Sequence, residues 1–284
     1  MLIITLVVDC LLWLAPRTFI RLAPQSWLIS LCRRTKKEKW LGNFQLGDRV
    51  IRLPGNIAVK YGAGILPGEA ATQHYAYQHV NPDIVRVPQV YRYFQDPSTP
   101  KLPTGYLFME YIPGQNLKEI NNLDVNDEIT KRVTRIISHL GEIKGGTVPG
   151  PVGGGAPLGY PWGDDGAKTE FASLRDVNAW VNRRIESLGK AIDLTPYPLV
   201  LCHMDLCRRN IILMKDKSIC LLDWGFAGFF PRFYEVAAIQ CYNDHFRIAL
   251  LEAAMNIMTL TEDELLCIDL IMRSRAASLI WTSL

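Results

Sequence analysis

Residues 199–228 read LVLCHMDLCRRNIILMKDKSICLLDWGFAG. Aliphatic runs alternate here with polar breaks: LVLC at 199–202, a polar loop opening at His203, NIILM at 210–214, the turn Lys215-Asp216-Lys217-Ser218, and ICLLD at 219–223. Short aliphatic and β-branched runs bounded by turn residues specify strands, so the order is strand, loop, strand, turn, strand. The turn pairs the last two runs as a hairpin. Asp223 is thereby brought back towards the loop that holds His203, Asp205 and Asn210.

Three side chains suited to protons or metals converge in this reading. Phosphoryl transfer needs such a set: one carboxylate to orient and deprotonate an attacking hydroxyl, with an amide oxygen and a second carboxylate to hold magnesium on a triphosphate. The spacing His203-x-Asp205-Leu206-x-x-x-Asn210, followed by an aspartate at a strand end, is the kinase pattern. Upstream, Ile57-Ala58-Val59-Lys60 is expected on a strand, with Glu69 opening the next helix as an ion-pair partner for Lys60. The order Lys, Glu, Asp, Asn, Asp is complete.

Over residues 45–284 the sequence resembles the aminoglycoside phosphotransferase family, small-molecule kinases with a protein-kinase-like fold, and especially its fungal members of unassigned substrate. The family's His-Gly-Asp-Leu-His-Pro-x-Asn and Ile-Asp-Trp correspond here to His203-Met-Asp205-Leu-Cys-Arg-Arg-Asn210 and Leu222-Asp223-Trp224. LFMEYIPG at 107–114 looks like the family's hinge. The resemblance implies that Asp205 is the base, that Asn210 and Asp223 bind Mg2+, and that Lys60 holds phosphate oxygens of ATP. It also implies that the backbone at Glu110, Tyr111 and Ile112 meets adenine.

The sequence departs from the family at three places. Met204 stands where glycine is usual, Cys207-Arg208 replaces His-Pro, and no Gly-x-Gly-x-x-Gly precedes Lys60, leaving Gly42, Gly47 and Gly55 as the glycines near enough to cover phosphates. His203 is read as bracing the loop, because Asp205 already suits proton transfer. Cys202 and Cys207 read as packing residues.

The segment WGFAGFFPRFY at 224–234 contains no Ser, Thr or Ala-Pro-Glu, which leaves no room for a phosphorylated activation loop. A small acceptor is therefore expected. The Gly/Pro-rich stretch GGTVPGPVGGGAPLGYPWGDDGA at 145–167 exceeds an ordinary helix connection and is a candidate lid. Within it Trp162 offers a stacking face, and Asp164 with Asp165 offers charge for a cationic acceptor. A solvated surface loop is the equally simple reading.

The rest of the chain frames this centre. Of 284 residues 49% are hydrophobic and 21% charged, enough for a sizeable core, and 31 basic against 28 acidic residues leave +3, which implies no nucleic-acid partner. Seven cysteines without Cys-x-x-Cys, and five scattered histidines, point to a reducing, cytoplasmic setting without structural zinc. DRVIRL at 48–53 and IAVKY at 57–61 read as a hairpin about Pro54-Gly55-Asn56; strands are expected at 88–94 and 105–111, and helices at 69–79, 126–143, 174–190, 233–257 in one or two pieces, and 262–282 behind a Thr261/Glu264 capping box.

MLIITLVVDCLLWL at 1–14 is apolar, yet as a helix it would span about 21 Å against about 30 Å of hydrocarbon, so it reads as a buried helix. The helical stretch at 22–32 ends in the cluster Arg33, Arg34, Lys36, Lys37 and Lys39, a solvated helix end or else a peripheral membrane contact. These readings give an α+β, two-lobed protein-kinase-like fold. Residues 1–40 form an N-terminal extension, dispensable for nucleotide chemistry. Residues 41–112 form a nucleotide-binding lobe of small antiparallel sheet plus helix, and 113–284 a larger helical lobe with catalytic loop and acceptor site. The expected activity is ATP-dependent phosphorylation of a small-molecule hydroxyl. The alternative is a catalytically silent nucleotide-binding or scaffold protein.

Overall fold

The turn at Pro54-Gly55-Asn56 folds two strands together, β1 (Arg49–Leu53) and β2 (Ile57–Gly62), with Leu53 opposite Ile57. Gly55 and Asn56 both take positive φ, 77° and 57°, a conformation these two residue types tolerate best. In this computed structural model, which describes residues 14–35, 41, 49–96, 98, 102–120, 128–241 and 244–281, two further strands complete an antiparallel sheet. They are β3 (Val90–Asp96) and β4 (Thr104–Glu110), and the sheet order is β1-β2-β4-β3. All four expected strands are present.

Side chains alternate across a strand, and β2 uses both faces. Ile57, Val59 and Tyr61 enter a core shared with Ile51, Phe94, Tyr106 and Phe108. Ala58 and Lys60 therefore point to the opposite face. The first face is covered by two helices, α1 (Pro16–Leu22) and α2 (Gln25–Arg34), which contribute Phe19, Ile20, Leu28 and Cys32 to that same core. Arg92 of β3 donates to the carbonyls of Ile20, Arg21 and Ala23 at 3.2, 3.3 and 2.6 Å, satisfying acceptors that the end of α1 leaves open. Arg33 pairs with Asp96 at 3.1 Å.

The expected separation of residues 1–40 from the small lobe is corrected accordingly. Residues 14–35 are part of the lobe's core, because the sheet has a second apolar face that nothing else among the described residues covers. The apolar run 1–13 and Lys36, Lys37 and Lys39 lie outside the described residues. Among those described, no helix is long and apolar enough to cross a membrane.

Helix α3 (Pro67–His79) lies by the other face of the sheet and carries Glu69 in its first turn. Beyond Ile112 the chain enters the larger lobe through the short strand β5 (Gln115–Asn116), then α4 (Glu128–Glu142) and α5 (Leu174–Ile185). Val133, Ile136, Ile137 and Leu140 give α4 the one-sided apolar stripe that buries it. The decisive stretch forms β6 (Val200–Cys202), a 3-10 turn at Arg208–Asn210, and the hairpin β7 (Ile211–Leu213) and β8 (Ile219–Leu221), as its pattern requires.

Strand β9 (Gly228–Phe230) pairs with β6, and three helices close the lobe: α6 (Phe233–Gln240), α7 (His245–Met258) and α8 (Glu262–Trp281). Asp244 caps α7 by accepting from the Arg247 amide at 3.1 Å. The capping box of α8 is present, with Thr261 N donating to Glu264 at 2.9 Å and Glu264 N to Thr261 Oγ1 at 3.2 Å.

The 145–167 stretch is held in place rather than hanging free. Gly150 and Phe229 exchange backbone hydrogen bonds at 3.0 and 2.8 Å, and Val152 N donates to Thr72 Oγ1 of α3 at 2.9 Å. Its residues 153–156 and Leu158 line a cavity of about 360 Å³ with Gly68, Glu69, Gly225 and Phe226.

Candidate active site

Lys60 reaches across the cleft from β2. Its Nζ lies 2.7 Å from Glu69 Oε1 and 2.9 Å from Asp223 Oδ1, so strand, helix and the residue after the β7–β8 hairpin meet at one ammonium. Burial disfavours that charge, but the carboxylates of Asp223 and Glu69 outweigh it and hold Lys60 above the ordinary ammonium range. Burial likewise acts to raise Asp223, and Lys60 with its hydrogen bond outweighs it, keeping that carboxyl below its usual value. Asp223 has φ 61° and its side chain remains 41% exposed.

The 203–210 loop is braced from within. His203 Nε2 meets Leu222 O at 3.0 Å, while its Nδ1 lies 3.3 Å from the Asp205 amide. Burial lowers the imidazole's pKa, so it is neutral, donating from Nε2 and accepting at Nδ1. Asn210 Nδ2 donates to Asp205 O at 3.0 Å and Asp205 Oδ2 at 2.8 Å. With its amide nitrogen so engaged, Asn210 has Oδ1 left as an acceptor.

Met204, the residue in the glycine position, takes φ 67° and is fully buried. Glu235 of α6 holds it there, accepting from the Met204 amide at 3.0 Å and the His203 amide at 2.6 Å. Of the two adjacent arginines, Arg208 turns away and donates to the carbonyls of Leu117, at 3.0 and 2.7 Å, and Ile120. Arg209 turns inwards, its Nη2 2.6 Å from Asp205 Oδ2 and 3.1 Å from Tyr160 Oη. The other Asp205 oxygen, Oδ1, accepts from Arg247 of α7 at 2.7 Å.

Sequence reasoning missed Glu235, Arg247, Tyr160 and the inward turn of Arg209. A signal existed for the first two: each is a lone charge in an apolar helical run, FYEVAAI at 233–239 and HFRIALL at 245–251, and a charge buried in such a run needs a partner.

At the hinge, Glu110 N donates to Gln89 O and Tyr111 N to Asn56 O, both at 2.9 Å. Among the described residues the Ile112 amide makes no hydrogen bond. Ile112 packs with Ile212 and Cys220 in a small apolar cluster beside it. Gly55 sits in the turn at this hinge end of the sheet and does not serve the phosphate end, where Lys60 stands; Gly42 and Gly47 lie outside the described residues.

Trp162 is corrected outright. Its ring is buried, stacked 5.5 Å from Tyr234 and packed against Phe171, Trp180 and Phe230, so no face is offered to an acceptor. Asp164 and Asp165 are exposed and line a concavity of about 310 Å³ with Lys168, Arg183, Arg184 and Ser278. Asp165 pairs there with Lys168 at 2.5 Å. Among the described residues no hydrogen bond or ion pair joins this acidic pair to the 203–210 loop.

The arrangement can hold a hard cation. Asn210 Oδ1 and the Asp223 carboxylate are oxygen donors of the kind magnesium takes, few enough to leave positions for phosphates. Among the described residues no cluster of three or more His, Cys, Asp or Glu side chains offers a rival metal site.

Comparison with known proteins identifies the fold and the family. The fold is that of aminoglycoside phosphotransferase APH(4)-Ia, at TM-score 0.57 and 13% identity over 92% of this chain and 90% of that one. A thermostable APH(4)-Ia mutant in ternary complex with AMP-PNP and hygromycin B aligns at 0.53 and 15% identity, over 86% of this chain and 85% of that chain. The GDP complex of an aminoglycoside 2'-phosphotransferase-IIIa F108L mutant aligns at 0.55 and 13%, over 91% and 89%. No curated protein sequence matches the chain. Residues 56–257, most of the chain, match APH, the phosphotransferase enzyme family, and the chain belongs to that family.

Proposed function

We propose that the protein is an ATP-dependent phosphotransferase acting on a hydroxyl of a small molecule. The observation that carries this reading is the convergence of Lys60, Glu69, Asp205, Asn210 and Asp223, from four separate stretches of chain, with the Lys60–Glu69 pair closed. The Ile112 amide, unbonded among the described residues, and the apolar cluster beside it suit an adenine ring, and Lys60 suits phosphate oxygens. Asn210 and Asp223 are the residues to hold Mg2+, which when bound supplies positive charge to the phosphates. Similar structures containing AMP-PNP and hygromycin B support a nucleotide and a small acceptor for this chain.

Asp205 orients the acceptor hydroxyl. Its oxygen attacks the γ-phosphorus as the bond from that phosphorus to the β,γ-bridging oxygen breaks, the proton passes to Asp205, and ADP leaves. The six described cysteines, all free thiols, support a reducing, cytoplasmic setting. Exposed Leu14, Leu22 and Trp27, in and beside α1 and α2, support a peripheral membrane contact through this region.

One observation favours a silent nucleotide-binding protein instead: both Asp205 oxygens are already engaged by arginines. ATP turnover decides between the two. Labelled ATP and a panel of small hydroxyl compounds are expected to yield a phosphorylated product, and Asp205→Asn is expected to lower its rate by about a hundred- to ten-thousand-fold. Because the amide removes the carboxylate that buried Arg247 bonds at 2.7 Å, the Mg-ATP thermal shift is measured on the same sample as proof of folding. Wild-type protein that binds Mg-ATP and phosphorylates nothing establishes the silent reading.

A further inference from the structure

Formal charge is unevenly spread along the chain. Residues 1–47 hold seven of the 31 basic residues and two of the 28 acidic ones, so that stretch is +5 while the rest of the chain is −2. Four of the seven, Arg17, Arg21, Arg33 and Arg34, lie on α1 and α2 and are exposed. Neither helix contains a carboxylate, and Lys36, Lys37 and Lys39 follow α2 in the sequence. Arg33 is answered by Asp96, and Arg17 stands 5.4 Å from the Tyr91 ring centroid.

The other two arginines, and apolar side chains with them, are turned away from the sheet. Phe19 and Ile20 of α1 and Leu28 and Cys32 of α2 are buried in the core that the helices share with it. With 3.6 residues per turn, Arg21 falls on the side of α1 away from Phe19 and Ile20, and Trp27 and Arg34, seven apart, share a side of α2 away from Leu28 and Cys32. Leu22 ends α1 and Trp27 lies in the first turn of α2, one on each side of Ala23-Pro24. At 79% Leu22 is the most exposed large hydrophobic residue among those described. A leucine and an indole set among guanidiniums are what the headgroup layer of an anionic bilayer takes up: the apolar tips leave water, the indole settles at the interface, and the arginines meet lipid phosphates.

We propose that the outer side of α1 and α2 docks on an anionic membrane surface. This rests on the peripheral contact named above and gives it a lipid charge, contact residues and an orientation. Leu22 and Trp27 enter the headgroup layer, and Arg21 and Arg34 pair with lipid oxyanions. Lys60 is on the opposite face of the sheet, so a docked lobe leaves the cleft in solution.

The full chain is sedimented with vesicles of phosphatidylcholine, alone or mixed with phosphatidylserine. It is expected to bind the mixed vesicles more tightly by about tenfold or more, and to be released by added salt. Arg21→Gln/Arg34→Gln and, separately, Leu22→Ser/Trp27→Ser are each expected to weaken that binding by about tenfold, with melting curves showing that both variants are folded. Mg-ATP affinity is expected to be the same on saturating vesicles as in solution. Equal binding to both kinds of vesicle, full binding by either double variant, or loss of Mg-ATP affinity on vesicles overturns the inference and leaves the bare membrane contact standing. Absence of binding to either vesicle overturns both. Self-association without lipid that Leu22→Ser/Trp27→Ser abolishes makes this side an interface between copies of the chain, and overturns the inference as well.

Discussion

Glu235 is fully enclosed beneath the 203–210 loop, and burial pushes its carboxyl from an ordinary 4.5 up to about 7, against the opposing effect of the His203 and Met204 amides that it accepts from. A carboxyl raised in the folded state binds more protons there than in the unfolded chain between those two values. Its contribution to stability is therefore fully present below about 4.5 and is lost as pH rises through about 7. The opposite slope belongs to His203 in this same window, because burial depresses its imidazole, and to Asp223, whose depressed carboxyl acts only at lower pH. Between pH 5 and 7 the melting temperature of wild type minus that of Glu235→Gln, which has no proton to lose, is therefore expected to decline. Parallel melting curves for the two proteins across that window would show that Glu235 is not the group responsible. The same carboxylate holds Met204 in its left-handed conformation. A residue with a Cβ survives in a glycine position because its buried side chain and the two amide bonds offset a backbone cost of about 1–2 kcal/mol.

At the scale of elements, α1 and α2 are part of the nucleotide lobe. Leu28 is completely buried among sheet residues, so Leu28→Ala is expected to lower the unfolding free energy by about 2–5 kcal/mol. It touches none of the residues proposed to bind nucleotide, and the folded fraction should keep its Mg-ATP affinity. Urea denaturation gives the first quantity and titration the second; a loss under about 1 kcal/mol would mean that α2 is a detachable extension after all. The sheet itself and the 199–228 hairpin were legible because each is specified locally, by alternation and by turn residues such as Gly55-Asn56 and Lys215–Ser218. The seat of α1 and α2 was not legible, because apolar residues near position 20 do not say which of several apolar surfaces they cover. Trp162 failed for a related reason. Flanking glycines and the nearby acidic pair suggested exposure, whereas its partners Trp180, Phe230 and Tyr234 come from distant stretches of chain. For the site, motif spacing reached Lys60, Glu69, His203, Asp205, Asn210 and Asp223. It could not reach Arg247 or Glu235, whose spacing from Asp205 is set by how α6 and α7 pack.

The whole molecule is two lobes joined at one side and bridged at the other. On the joined side Arg86 N donates to Ile219 O at 2.9 Å and Leu221 N to Arg86 O at 3.0 Å, fastening the small lobe's segment to β8 by backbone bonds. Across the cleft, Val152 N bonds Thr72, and Tyr75 sets its ring edge-on to Phe229 at 5.2 Å. Between these runs the Lys60 bridge, in which a small-lobe ammonium shares the large lobe's Asp223 with its own lobe's Glu69. That sharing makes Asp223 separable from the fold. If it is replaced, Lys60 keeps Glu69 at 2.7 Å, and the backbone fastening is untouched. Asp223→Ala should accordingly fold. What it loses is an oxygen donor for magnesium, leaving Asn210 alone at the site, too little for a cation that is held through carboxylates and phosphates. Nucleotide titrations with and without magnesium are therefore expected to differ strongly in wild type and hardly at all in Asp223→Ala. The variant's metal-free affinity should be equal or higher, because Lys60 is freed of one competitor and the triphosphate meets one negative charge fewer. Should magnesium still tighten ATP binding by the wild-type factor in that variant, the metal is held elsewhere and Asp223 serves only to bridge the lobes.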